Sequence, residues 1–179
     1  MRSRYKFSEI QGHLYFITCS VVGKIQIFTD PKYCDIIIEN FNFYRNEKGL
    51  KIFYYVIMDH HLHMIVSHPK EIGKIIQNLK SFTAKEIISL LKEDKKNDIL
   101  NLLKMSKKSY KVDSTYQFWE EGSHPKLVHT NDMLLQKINY IHFNPVKRGF
   151  VTEPEEWYYS SARNFAGKNN PFEIDELDL

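Results

Sequence analysis

Apolar residues recur along the chain with two periods, and each switch between them marks the boundary of an element. "GHLYFITCSVVG" (12–23) is rich in β-formers with glycine at both ends and predicts a strand. "DPKYCDIIIENFNFYRNEKG" (30–49) opens with an aspartate cap and a proline at the first helical position and closes on Gly49, so it predicts a helix. "LKIFYYVIM" and "HLHMIVS" follow as two strands of a hairpin, joined tightly around Asp59 and His60. From Glu71 to about Leu91 the apolar residues Ile72, Ile75, Ile76, Leu79, Phe82 and Leu90 return at helical spacing. Lys74, Asn78, Ser81 and Lys85 line the opposite face, which is either solvated or in contact with phosphates. Residues 92–112 carry seven lysines and few strong breakers, suggesting a mobile or loosely helical insertion. "STYQFWEEG" and "PKLVH" have the look of short strands, and "TNDMLLQKINYIHFNP" reads as a capped helix that ends at Pro145. "EPEEWYYSSARNFAG" holds two polar-aromatic clusters and is placed only as a C-terminal extension. The order β, α, ββ, α, short strands, α predicts an α+β fold of the ferredoxin-like, split βαββαβ kind, an antiparallel sheet with helices on one face.

Composition narrows this picture. A chain of 179 residues with 42% hydrophobic content builds one core but not two comfortable ones, so a single domain is expected over 1–179, with its core at about 12–151 and an extension at about 152–179. No signal-peptide-like run follows "MRSRYKFSEIQG", and runs such as "CDIII" and "YYVIM" are too short to cross a bilayer, which predicts a soluble cytoplasmic protein without a membrane partner. Cys19 and Cys34 sit in apolar surroundings without metal-type spacing and read as reduced core thiols. The formal net charge is +3, and since "PFEIDELDL" at the C-terminus holds four acids and no base, the rest of the chain carries +7. A basic body with an acidic tail fits a polyanion partner, and the 11 Tyr and 12 Phe suit base stacking as well as a core.

Candidate chemistry centres on His61 and His63. Residues i and i+2 of a strand share a face, about 7 Å apart along the chain, so the two imidazoles converge on one side while Leu62 turns into the core. Neutral imidazoles so placed can share a metal ion, although His-x-His also occurs by chance on solvated strands. By the same alternation His60 points away. On the helix from about Asn131, Leu134, Ile138 and Ile141 form the core stripe; Tyr140 falls about 120° from Leu134 and Asn144 lies one turn beyond it on the same flank. A tyrosine there is equally compatible with packing. Past the helix, Lys147 and Arg148 precede Gly149 in a turn able to hold phosphate oxygens.

Together these stretches resemble the HUH superfamily of single-tyrosine transposases, and within it the REP-associated tyrosine transposases. "IMDHHLHMIV", "KSFTAKEI", "FWEEGSHPKLV", "YIHFNPVKRGFV" and "WYYSSARNF" stand in the family's order, over about residues 12–166. The resemblance implies His61 and His63 as metal ligands, Tyr140 as nucleophile, Asn144 as third protein ligand, and Lys147, Arg148, Lys74 and Lys85 as DNA contacts. One departure is His60, where members usually carry Asn; it leaves open a second register in which His60 binds the metal.

The implied reaction is cleavage of single-stranded or hairpin DNA by transesterification, through a 5′-phosphotyrosine link that conserves the phosphodiester energy and needs no nucleotide cofactor. Free tyrosine, with a pKa of about 10, needs assistance, and a divalent ion, Mg²⁺ or Mn²⁺, would polarise and orient the phosphate. Competing readings are a water-using metal-dependent nuclease, which needs the histidines but not Tyr140, and a domesticated DNA-hairpin-binding protein without strand transfer. An RNA-binding module of the same plan would place aromatics, not histidines, across the sheet. A monomer is favoured over a homodimer that exchanges the tyrosine helix.

Overall fold

A computed structural model describes residues 13–122 and 125–177. Gly12, Ser123, His124 and Asp178, included above in a strand, a motif and the acidic tail, lie outside the described residues. The elements run β1 (Leu14–Ser20), α1 (Pro31–Lys48), β2 (Lys51–Ile57), β3 (His61–Ser67), α2 (Ile72–Glu93), α3 (Asn97–Met105), β4 (Lys126–Leu127), α4 (Asn131–Lys147) and α5 (Ala162–Phe165). The strands form one antiparallel sheet in the order β2-β3-β1-β4, the split βαββαβ arrangement.

Local chemistry sets the boundaries. Asp30 caps α1 by accepting from the Lys32 amide, Pro31 fills its first position, and Gly49 ends it in the left-handed region at φ 69°. β1 stops at Ser20 because Val22–Lys24 turn through a short 3-10 segment whose Gly23 has φ 60°. β2 and β3 are joined by Met58, Asp59 and His60.

The helices divide between the two faces. Ile17, Cys19, Leu62, Met64 and Val66 meet α1 and α2 on one face, as the motif requires. The later helix α4 instead lies on the other, where Leu134 and Ile141 pack with Phe16, Val56 and Ile65. The expectation of helices on one face therefore holds for α1 and α2 and not for α4. The signal is in β2 and β3 themselves: Ile52–Ile57 and Leu62–Ser67 are buried at every position, and strands covered on both faces read as continuous apolar runs rather than alternating ones.

Three further expectations change. Phe82 is not part of the α2 stripe but is 57% exposed, and Thr83 takes the buried position. The Thr83 hydroxyl donates to the Leu79 carbonyl at 2.8 Å and accepts from Trp119 Nε1 at 3.1 Å, which satisfies it in the core. The lysine-rich insertion contains an ordered helix, α3, anchored by buried Leu100 and Leu103. Finally, α4 runs through Pro145 to Lys147. Pro145 forfeits one backbone bond, but the stop is made later, at Gly149 (φ 72°), where the Gly149 and Phe150 amides donate back to the Val146 and Pro145 carbonyls at 2.9 and 3.0 Å. Asn144 therefore keeps helical geometry.

The C-terminal extension closes the free side of β2. The Ile57 amide donates to the Tyr159 carbonyl and the Ser161 amide to the Tyr55 carbonyl, both at 2.9 Å. Phe172 enters the main core, and Asp175 of the acidic tail accepts from the Ile52 amide at 2.8 Å and pairs with Arg45 at 3.1 Å. Among the described residues no helix is long and apolar enough to cross a membrane.

Candidate active site

β3 presents the histidines on the face that α4 crosses. His61 stands opposite Ser20 and His63 opposite Thr18 in the antiparallel register, and Leu62 turns the other way against Cys19. The two imidazole centroids are 4.8 Å apart. His63 is 4% exposed; its Nδ1 is hydrogen-bonded to Thr18 Oγ1 at 2.8 Å, and its ring stacks on Phe16 at 5.6 Å. Burial, before any neighbouring charge, pushes the pKa of His61 down to about 4 and that of His63 down to about 3, so both rings are neutral at pH 7. His61 Nδ1 and His63 Nε2 are buried without a hydrogen-bond partner among the described residues. Buried polar atoms are nearly always paired, and two unpaired ring nitrogens 2 residues apart on one strand face fit donors meant for a metal ion.

α4 brings Tyr140 to this pair. Its ring is 4.9 Å from that of His63 and 6.0 Å from that of Phe16, both edge-on, while 41% of the residue remains exposed. Asn144, one helical turn on, is 8% exposed. The helix flank inferred from spacing thus faces the histidines, and Lys147 holds its ammonium 5.9 Å from the Tyr140 ring centre.

His60 does not point away. It precedes the strand, so strand alternation does not govern it, and its ring lies 4.5 Å from that of His61. Its Nδ1 meets Asp59 Oδ1 at 2.7 Å. Asp59, His60 and His61 can place one ligand atom each within 4.8 Å of one another, a second candidate metal set that overlaps the first. The first fits better: Asp59, only 4% exposed, already spends Oδ1 on His60 and Oδ2 on Arg148 Nη2 at 3.0 Å, whereas the orphan nitrogens belong to His61 and His63.

Arg148 thus ties the end of α4 to the turn before β3. Lys74 and Lys85 are not brought to the site, since they lie exposed on α2, which covers the opposite face; Lys74 approaches Glu71 at 3.9 Å. Spacing gave no sign of Thr18, Phe16 or Asp59. The first two need the β1–β3 register, and Asp59 needs the distance to Arg148, 89 residues on.

His142, half-buried on α4, is bonded to Ser161 Oγ at 2.8 Å and is also pushed down to about 4 by desolvation. Folding therefore keeps three imidazoles neutral that the unfolded chain protonates near pH 6.5. Above that pH both states are neutral; as pH falls toward 4 only the unfolded chain takes up protons, so stability declines by about 1.4 kcal/mol per pH unit for each histidine. Urea midpoints measured in chelator are expected to drop from pH 7 to pH 5. Unchanged midpoints would mean that these rings are hydrated.

The family model described as "Transposase IS200 like" matches residues 7–122. No curated protein matches the chain. A solved structure described as a REP-associated tyrosine transposase bound to a REP hairpin shares the fold, with a TM-score of 0.62 at 17% identity, covering 99% of this chain and 94% of that one.

Proposed function

The chain belongs to the family of IS200-like transposases, and on that premise we propose that it is a metal-dependent transposase of single-stranded DNA, cutting and rejoining strands through a 5′-phosphotyrosine link. The observation that carries this reading is the approach of the Tyr140 and His63 rings to 4.9 Å, beside two buried histidine nitrogens that have no hydrogen-bond partner among the described residues. His61, His63 and Asn144 are the ligands we assign to a divalent ion, Mg²⁺ or Mn²⁺, which when bound supplies Lewis-acid polarisation and orientation of a phosphate.

The residues of the chain do the rest. Tyr140 Oη attacks the scissile phosphorus; the Oη–P bond forms, the P–O3′ bond breaks, and the leaving O3′ becomes a free hydroxyl. The phenolic proton passes to water, which reaches the exposed side of Tyr140. Rejoining reverses the exchange with an incoming 3′-hydroxyl. Thr18 holds the His63 ring at Nδ1; with Nδ1–H donating to Thr18 Oγ1, Nε2 would be the nitrogen open to a metal. Lys147, beside Tyr140, is the cation we assign to a phosphate of the bound strand; Arg148 acts by fixing α4 on Asp59. A hairpin target is in keeping with the hairpin named for the similar structure. Nucleophile and histidines meet within one chain, which supports a monomer, and Phe172 in the core supports one domain that includes the extension.

The test is to incubate the protein with Mn²⁺ and labelled hairpin DNA bearing single-stranded flanks, taken from beside the gene, and to resolve the products on denaturing gels. A covalent protein–DNA band that chelator abolishes, and whose modified peptide contains Tyr140, is expected. Cleavage without a covalent band would make the protein a water-using nuclease, and binding without cleavage a domesticated binder.

A further inference from the structure

Next to the histidines, β1 and the segment after Trp119 enclose a cavity of about 250 Å³. Phe16, Thr18 and Ser20, alternate residues of β1, line it, with Glu120 and Glu121 at the Ser20 end and Lys126 of β4 beside Phe16 at the other end of the same strand edge. Thr18 is the residue bonded to His63, and Ser20 lies opposite His61, so the cavity shares this stretch of β1 with the proposed metal site.

Its two carboxylates differ. Glu121 is engaged by Lys111 at 2.9 Å, by Lys108 at 3.7 Å and by the Tyr110 hydroxyl. Glu120 is fixed through its main chain, its amide donating to the Ser20 carbonyl at 2.7 Å and its carbonyl accepting from Lys80 Nζ at 2.8 Å. Among the described residues its carboxylate accepts one long bond, from the Gly23 amide at 3.4 Å. An under-used carboxylate is unfavourable beside a strand of phosphates unless the occupant brings hydrogen-bond donors to it.

The bases of unpaired DNA offer their Watson–Crick edges, and these edges differ in sign. Guanine presents two adjacent donors, N1–H and N2–H₂, followed by the O6 acceptor. Adenine and cytosine each set a ring-nitrogen acceptor beside their amino group, and thymine has a single N–H between two carbonyls. A carboxylate takes two adjacent donors at once, and a lysine satisfies a carbonyl oxygen.

We propose that this cavity holds one unpaired guanine of the substrate strand, with the Glu120 carboxylate accepting from N1–H and N2–H₂ and Lys126 donating to O6. The inference rests on the single-stranded DNA reading and adds to it a residue that sets sequence preference.

The probe is fluorescein-labelled nonathymidylate carrying one central variable base, read by anisotropy with the full chain. A central guanine binds about tenfold or more tightly than adenine, cytosine or thymine, within the range of one good bidentate base contact. Hypoxanthine, which lacks the N2 amino group, falls between, 2-aminopurine loses the preference, and 7-deazaguanine, whose Watson–Crick edge is intact, keeps it. Glu120→Gln reduces the preference for guanine to less than about threefold. A wild-type protein without preference for guanine overturns the proposal, as does 2-aminopurine binding as tightly as guanine or a preference that survives in folded Glu120→Gln. The nucleotide series needs no variant, so it decides the matter even where Glu120→Gln does not fold. Covalent adducts formed without guanine preference would overturn this inference alone, whereas guanine preference without adducts would overturn the transposase reading and leave the pocket standing.

Discussion

Tyr140→Phe forms no covalent adduct with single-stranded DNA, and its rate of strand cleavage falls by about 10³-fold or more. The substitution removes one oxygen and little else. The ring keeps its edge contacts with His63 and Phe16, and the hydroxyl it loses has no hydrogen-bond partner among the described residues. A change on a residue 41% exposed, with its packing retained, alters stability by about 0.5 kcal/mol or less. The loss therefore falls on the chemical step. Quenched time courses with end-labelled DNA and Mn²⁺ separate the outcomes, since a nuclease that activates water on the histidine side retains cleavage in the variant. Cleavage surviving within about tenfold would remove Tyr140 from the mechanism and the 5′-phosphotyrosine link with it.

Why this residue was legible in the sequence, while its surroundings were not, follows from the range of the interactions involved. The helix carrying Tyr140 and Asn144 and the strand carrying His61 and His63 are each specified by local periodicity, and both periods survive folding. Asp30, Pro31 and Gly49 fix α1 by capping within a few residues, and the structure ends that helix where they do. What local signals miss is set by tertiary contact. Pro145 suggests a helix end, yet the Gly149 cap one turn later keeps the last turn intact. His60 follows no strand alternation because it precedes β3, and its ring is held by the carboxylate of Asp59, shared with Arg148 from 89 residues away. Thr83 outcompetes the larger Phe82 for the buried side of α2 because the Leu79 carbonyl and the Trp119 indole satisfy its hydroxyl. The extension could not be placed because its partner, the free side of β2, exists only once the sheet has formed.

At His63 activity and stability are expected to move in opposite directions. Without a metal ion its Nε2 is buried with no partner among the described residues, in a residue 4% exposed, and an unsatisfied buried polar atom costs about 1–3 kcal/mol. His63→Leu replaces the ring with an apolar side chain of similar size, and Thr18, which is only partly buried, can pass its hydroxyl to water. In chelator at pH 7 the variant is expected to be more stable than the wild type by about 1 kcal/mol, a rise in unfolding temperature of about 2–4 °C for a chain of this length. Mn²⁺ then reverses the order: it raises the midpoint of the wild type, whose folded state alone presents His61 and His63 together, and leaves the variant unmoved. Adduct formation by the variant falls by about 10³-fold, because its remaining ligands no longer hold the ion against the phosphate. Thermal unfolding of both proteins in chelator and in Mn²⁺ gives the four midpoints required. If His63→Leu is the less stable protein in chelator and Mn²⁺ protects both alike, then His63 is a packing residue of the sheet and the metal belongs with Asp59, His60 and His61. That group offers ligand atoms within 4.8 Å, and it could bind only by releasing Asp59 from Arg148 and so loosening the helix that carries Tyr140.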